Sequence, residues 1–188
     1  MVNPTAVVTV LGDPVLVLAT SIGLASLFLA AALHKLQQLA EFRAALEGYR
    51  VLPPALVEPA LRLIPLAEAA AAVGLLLPQT RSLAALFGAA LLLAYAAAMA
   101  LVVVRGRQTL DCGCSLGGAS QPVSAALIVR NVTLVLLALN VAGAAGWREL
   151  SLYDWVLVVL MALVGIVLYA ILNTLIASQA TTRKIANE

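Results

Sequence analysis

Charge is scarce in this sequence. Asp, Glu, Lys and Arg make up 11% of its 188 residues, well under the quarter or so with which a soluble domain covers its surface. Aromatic residues are few as well, at 5%, and the chain holds one histidine and two cysteines. The shortage of charge excludes a water-exposed globular domain. With 63% hydrophobic residues and a mean hydropathy of +1.06, such a domain would leave large apolar patches in water. A net charge of +2 offers no basic surface for nucleic acid. Two cysteines and one histidine supply at most three of the four ligands that zinc normally takes, so no metal site is expected. The opening stretch MVNPTAVVTVLGDP has no lysine or arginine. Without a positive n-region, the first apolar run is expected to remain as a helix rather than be cleaved as a secretion signal.

What the chain does have is long apolar runs. Five stand out, at about 15–33, 56–77, 82–104, 123–145 and 152–177, each able to cross a hydrocarbon core about 30 Å thick. Lipid offers the backbone no hydrogen-bond partner, so the spans are expected to be helices. The fold class is therefore all-α, a polytopic membrane helix bundle forming a single membrane domain over 1–188. Segment three, LAALFGAALLLAYAAAMALVVV, is rich in alanine and carries Gly88, which favours close helix packing.

The polar content lies in the connections. In HKLQQLAEFRAALEGYRVLPP, Leu36, Leu39, Phe42, Leu46 and Tyr49 recur at helical spacing with Lys35, Gln38, Glu41, Arg43 and Glu47 between them. That pattern predicts an interfacial amphipathic helix over about 35–48, ended by Gly48 and Pro53-Pro54. A tight turn follows at 78–81, and a glycine-rich loop containing DCGCSLGG occupies 105–122. Five spans put Lys35, Arg43, Arg50, Arg105, Arg107, Arg183 and Lys184 on the side of the cysteine loop, and Arg81 and Arg148 opposite. The positive-inside rule then makes the cysteine loop cytoplasmic.

The most specific local signal is Cys112-Gly113-Cys114. Free cysteines often behave as small hydrophobes, but that accounts poorly for two of them in a polar, glycine-rich loop. The pattern suits a dithiol/disulfide couple. A ring closed across one residue is strained and oxidising, and Gly113 permits its backbone angles. Glu68 and Arg130 come next, as charges inside apolar spans. They enter from the same face at similar depth and are expected to pair, with Asn131 as a hydrogen-bonding neighbour. The pair reads either as a lock between two helices or as a polar lining beneath the cysteine loop. His34, at the end of the first span, is either a proton carrier for a thiol or a solvated helix end. Pro65, one turn before Glu68, is expected to kink the second span. Trp147, Tyr153 and Trp155 read as interfacial anchors of the fifth.

In combination, HKLQQLAEFRAALEGYRVLP, Glu68, CGCSLGG, Arg130-Asn131 and the span arrangement resemble the MauE family of methylamine utilisation membrane proteins, related to the DoxX-like group. The resemblance covers the chain to about residue 146, with Ser115-Leu116 standing where members often carry an aromatic residue. It implies a bacterial inner-membrane, multi-pass protein that matures methylamine dehydrogenase, whose small subunit needs many disulfides. It also implies a thioredoxin-like periplasmic partner, MauD, and so a periplasmic cysteine loop, against the charge rule. The layout is also similar to vitamin K epoxide reductase, which implies a four-helix core, here joined by a fifth transmembrane helix and the interfacial helix. Those proteins relay electrons through a second cysteine pair that this sequence lacks. A thiol–disulfide oxidoreductase built on Cys112 and Cys114 would exchange directly with a partner or with a membrane quinone, the latter expected near Glu68 and Arg130. Two other readings stay open: a non-enzymatic assembly factor with dispensable cysteines, and, with least support, a small transporter.

Overall fold

The computed structural model describes residues 12–106, 123–144 and 148–186, with backbone alone from 179 onward. Six helices make up nearly all of these: α1 (Pro14–Gln37), α2 (Leu39–Tyr49), α3 (Pro54–Leu76), α4 (Arg81–Val104), α5 (Ala125–Gly143) and α6 (Leu152–Ala186). No strand occurs among the described residues. All but α2 are long and apolar enough to cross a membrane, α6 over Leu152–Ser178. The chain is a multi-pass helical membrane protein with the five spans its apolar runs require.

Helix α1 is the hub. Its N-terminus is capped by Asp13, which accepts the Val15 amide at 2.9 Å, with Pro14 preset for the first turn. Ser21, Ala25, Phe28, Ala32 and Lys35 repeat at alternating four- and three-residue steps and form its buried stripe. It packs along α3 and α6 and touches α5, while α4 packs against α5 and α3. Thus α1, α3, α4 and α5 close the expected four-helix core around Phe28, Leu75, Leu92 and Leu134. Helix α6 leans on the outside of α1. Only Val158, Ala162 and Asn173 of its described side chains are buried.

The two ends of the bundle are held differently. At the end where α1 and α6 begin, Arg148 reaches Asp154 at 2.8 Å and Asp13 at 3.4 Å. The hydrogen bond to Asp154, helped by Asp13, holds this guanidinium even more firmly protonated than an ordinary arginine. Ser82 also donates to the Ala142 carbonyl there at 2.8 Å, joining α4 to α5. The opposite end carries α2, the end of α4 and the start of α5.

Here the structure corrects two expectations. Helix α1 runs to Gln37, so His34 and Lys35 belong to its last turn and the short helix starts at Leu39 rather than 35. The break is Gln38, whose φ of −120° and ψ of 51° interrupt the helical path. Gly48 stays helical, and α2 ends at Arg50, a left-handed residue with φ 48°. Arg105, at the end of α4, donates to the Tyr49 and Arg50 carbonyls at 3.4 Å each and so supports that turn. Helix α3 runs from Pro54 to Leu76 with Pro59 and Pro65 inside it.

Lipid gives apolar helices no hydrophobic reason to associate, so close fit must hold them. A Cβ on Gly74 would lie 2.7 Å from the Ala84 Cβ, and one on Gly88 would lie 2.8 Å from the Phe28 ring. Gly88, expected to bring helices together, therefore does so by seating an aromatic ring of α1. Gly74→Leu and Gly88→Leu are each expected to destabilise the bundle by about 1–3 kcal/mol through overpacking. Gly23→Ala, whose Cβ meets nothing within 4 Å, should leave stability unchanged or slightly raised. Thermal unfolding of the detergent-solubilised protein measures all three, and equal melting of the two Leu variants and the wild type would count against this packing.

Candidate functional site

The buried stripe of α1 ends in a charge. Lys35 turns into the bundle and places its ammonium 2.5 Å from Glu68 Oε1 on α3. The Tyr95 hydroxyl of α4 donates to the same oxygen at 2.8 Å. Lys35 is 3% exposed and Glu68 is fully buried. The break at Gln38 folds α2 back so that Phe42 covers the ammonium. The Phe42 and Tyr95 ring centres lie 5.6 Å and 5.2 Å from Nζ, within cation–π range. A carboxylate so placed in an apolar bundle needs a counter-charge, and its counter-charge is Lys35.

Arg130 is therefore not the ion-pair partner of Glu68, contrary to expectation. Its Nη1 donates to Asn173 Oδ1 of α6 at 2.6 Å, and its guanidinium sits 5.7 Å from the Tyr169 ring centre. Asn131 is buried but donates to the Leu127 carbonyl of its own helix at 3.1 Å. Even so, Lys35, Glu68, Tyr95, Arg130, Asn131 and Tyr169 all line one chamber of about 30 Å³. Glu68 Oε2 and Arg130 Nε, both buried, have no hydrogen-bond partner among the described residues. His34 is half-buried in the last turn of α1 and is not part of the chamber wall. Cys112, Gly113 and Cys114 lie outside the described residues.

The chamber is separated by packing from the described ends of the segment that carries the cysteines. Gly106, with φ +69°, turns the chain out of α4, and Val123 brings it back. Between these stems and the chamber, Met99, Val102, Val123 and Leu127 form an apolar layer, each at most 2% exposed. Tyr49 and Tyr95 pack against it. A space of about 30 Å³ admits a water or a hydroxyl. A quinone ring does not fit in this space between Glu68 and Arg130.

Sequence reasoning missed Lys35, Tyr95, Tyr169 and Asn173. The signal for Lys35 was present, because it continues the four-three stripe of Ser21, Ala25, Phe28 and Ala32. Counting it as a loop charge hid it. Tyr95 in LLLAYAAAMA and Asn173 in AILNTLI are lone polar residues in apolar helices, yet nothing in their spacing names a partner.

Residues 13–148 match the family model for the methylamine utilisation protein MauE, a stretch running from the cap of α1 to Arg148. The chain belongs to the MauE family. It is 45% identical over 130 residues to the methylamine utilization protein MauE of Paracoccus denitrificans, covering 69% of this chain and 70% of that one. The MauE of Paracoccus versutus is 40% identical over 133 residues, 71% of this chain and 72% of its own. That of Methylorubrum extorquens is 36% identical over 152 residues, 78% and 82% respectively. No solved structure matches the chain. The MauE model takes in the four-helix core, α2, Lys35, Glu68, Tyr95 and Arg130 and stops before α6. The two residues of α6 that hold Arg130 thus lie beyond the matched stretch.

Removing one member of a buried ion pair strands the other and typically costs about 3–5 kcal/mol. Lys35→Met and Glu68→Met are each expected to lose that much, and the double variant less than the sum of the two. Unfolding of all four proteins in one detergent closes the cycle. Strict additivity would dissolve the pairing.

Proposed function

We propose that this chain is an inner-membrane thiol–disulfide exchange protein that supports disulfide formation in methylamine dehydrogenase, together with a thioredoxin-like, MauD-like periplasmic partner. The observation that carries this reading is Cys112-Gly113-Cys114, the only cysteines of the sequence, one residue apart in a glycine-rich segment. Its described stems, Gly106 and Val123, emerge where Arg105 ties α4 to α2. The relatives' role in methylamine utilisation supplies the pathway.

One exchange balances without an outside oxidant. A thiolate of the partner attacks one sulfur of a Cys112–Cys114 disulfide, the other cysteine leaves as thiolate and takes a proton, and a mixed disulfide forms. The partner's second thiolate then displaces the remaining cysteine. Two electrons and two protons have passed to this chain, and the reverse direction balances equally. With no second pair in these 188 residues, a further exchange must reset the first. Lys35, Glu68 and Arg130 act in this reading as anchors, since an apolar layer separates them from the loop stems.

The same reading puts the loop in the periplasm. One feature weakens the opposing charge pattern: Lys35 is buried in an ion pair inside the bundle. In intact cells, a membrane-impermeant maleimide should label the reduced cysteines. Labelling only after the inner membrane is opened would put the loop in the cytoplasm.

Cys114→Ser should accumulate a mixed disulfide with the partner, visible on a non-reducing gel. The Cys112→Ser/Cys114→Ser double variant should lower active methylamine dehydrogenase at least tenfold at unchanged membrane abundance. Full maturation in the double variant would overturn the exchange and leave a scaffold with dispensable cysteines.

A further inference from the structure

A groove of about 340 Å³ runs between α1 and α6, within the size range of small-molecule sites in helix bundles. The two helices run in the same direction there, α1 contributing Ala19 to Ala30 and α6 Met161 to Thr174. At 1.5 Å per residue the α1 side is about 17 Å long. Small residues widen it: Gly23 and Gly165 line the groove, and a Cβ on either would meet nothing within 4 Å. Most of the wall is apolar. Its polar groups include Tyr169, Asn173 and Thr174, toward the end near Arg130.

That end adjoins the charged chamber. Leu27, Leu134 and Tyr169 belong to the walls of both spaces, and Arg130 bridges them by holding Asn173 of the groove while lining the chamber. The chamber presents a matched acceptor and donor. Glu68 Oε2 and Arg130 Nε are both buried and without a partner among the described residues. A group entering from the groove must therefore donate to a carboxylate and accept from a guanidinium within about 30 Å³. A hydroxyl does both and fits. A carboxylate head cannot donate and would face the Glu68 charge, and a phosphate head is too large.

We propose that the groove and chamber together form a binding site for a neutral single-chain lipid ending in a hydroxyl, a prenyl or alkyl alcohol. Its chain lies along Gly23 and Gly165, and its oxygen sits between Glu68 and Arg130. The site is independent of Cys112 and Cys114, and it stands or falls apart from the exchange reading.

Farnesol, farnesyl methyl ether and palmitate serve as probes against the full-length protein in detergent, with bound ligand counted by native mass spectrometry and checked by thermal shift. Farnesol should bind at least tenfold more tightly than the ether, which cannot donate, and than palmitate. Gly23→Leu and Gly165→Leu fill open space rather than packed core. Each should reduce farnesol binding at least tenfold while the unliganded melting temperature holds. Equal binding of all three probes would reduce the groove to a resting place for bilayer chains and overturn the proposal. So would farnesol binding that survives both Leu variants at unchanged stability.

Discussion

The buried pair of Lys35 and Glu68 is the constraint on which the arrangement of this bundle depends. Glu68 is fully buried in α3, where lipid and aliphatic side chains can stabilise no isolated charge. Its neutralisation requires α1 to stay helical through Gln37, so that Lys35 points inward with Phe28 and Ala32. The helix must then break at Gln38, and α2 must double back to lay Phe42 on the ammonium. Tyr95 fixes the height of α4 by donating to the same carboxylate oxygen. Four elements are thus registered to one another by a single charge and its surroundings, something interchangeable apolar contacts do poorly.

Arg130 raises the same problem with another solution. It shares a chamber with Glu68, but a lysine already serves that carboxylate. The guanidinium is instead held by the amide of Asn173 and the face of Tyr169, both on α6. The family match ends before that helix, so this chain draws on a segment outside the matched core to settle a charge inside it. The apolar layer of Met99, Val102, Val123 and Leu127 then divides the interior into a charged chamber and the stems of the cysteine segment. The layer thus sets Lys35, Glu68 and Arg130 apart from the described ends of α4 and α5.

Much of this was legible beforehand, and for specific reasons. The scarcity of charge and the lengths of the apolar runs required five spans, because water and lipid each tolerate only one of the two surfaces. The motif at 112–114, with Arg130-Asn131 and the polar stretch after the first span, was enough to point to the MauE family. The ends of elements were less legible. Gly48 read as a stop, yet Arg50 takes the left-handed position because Arg105, distant in sequence, satisfies the carbonyls there.

The sequence by itself determined that the chain crosses the membrane, how often, and which few charges would be expensive to bury, since these follow from composition and period alone. Only the tertiary structure decided which charges meet. Glu68 takes Lys35 rather than Arg130 because pairing depends on rotation and register among helices, and a difference of one residue turns a side chain by about 100° around the axis. The same geometry decided that α6 would serve Arg130 and that a groove would open beside a chamber whose Glu68 Oε2 and Arg130 Nε have no partner among the described residues. No spacing along the chain encodes either outcome, because both arise from residues brought together across more than one helix.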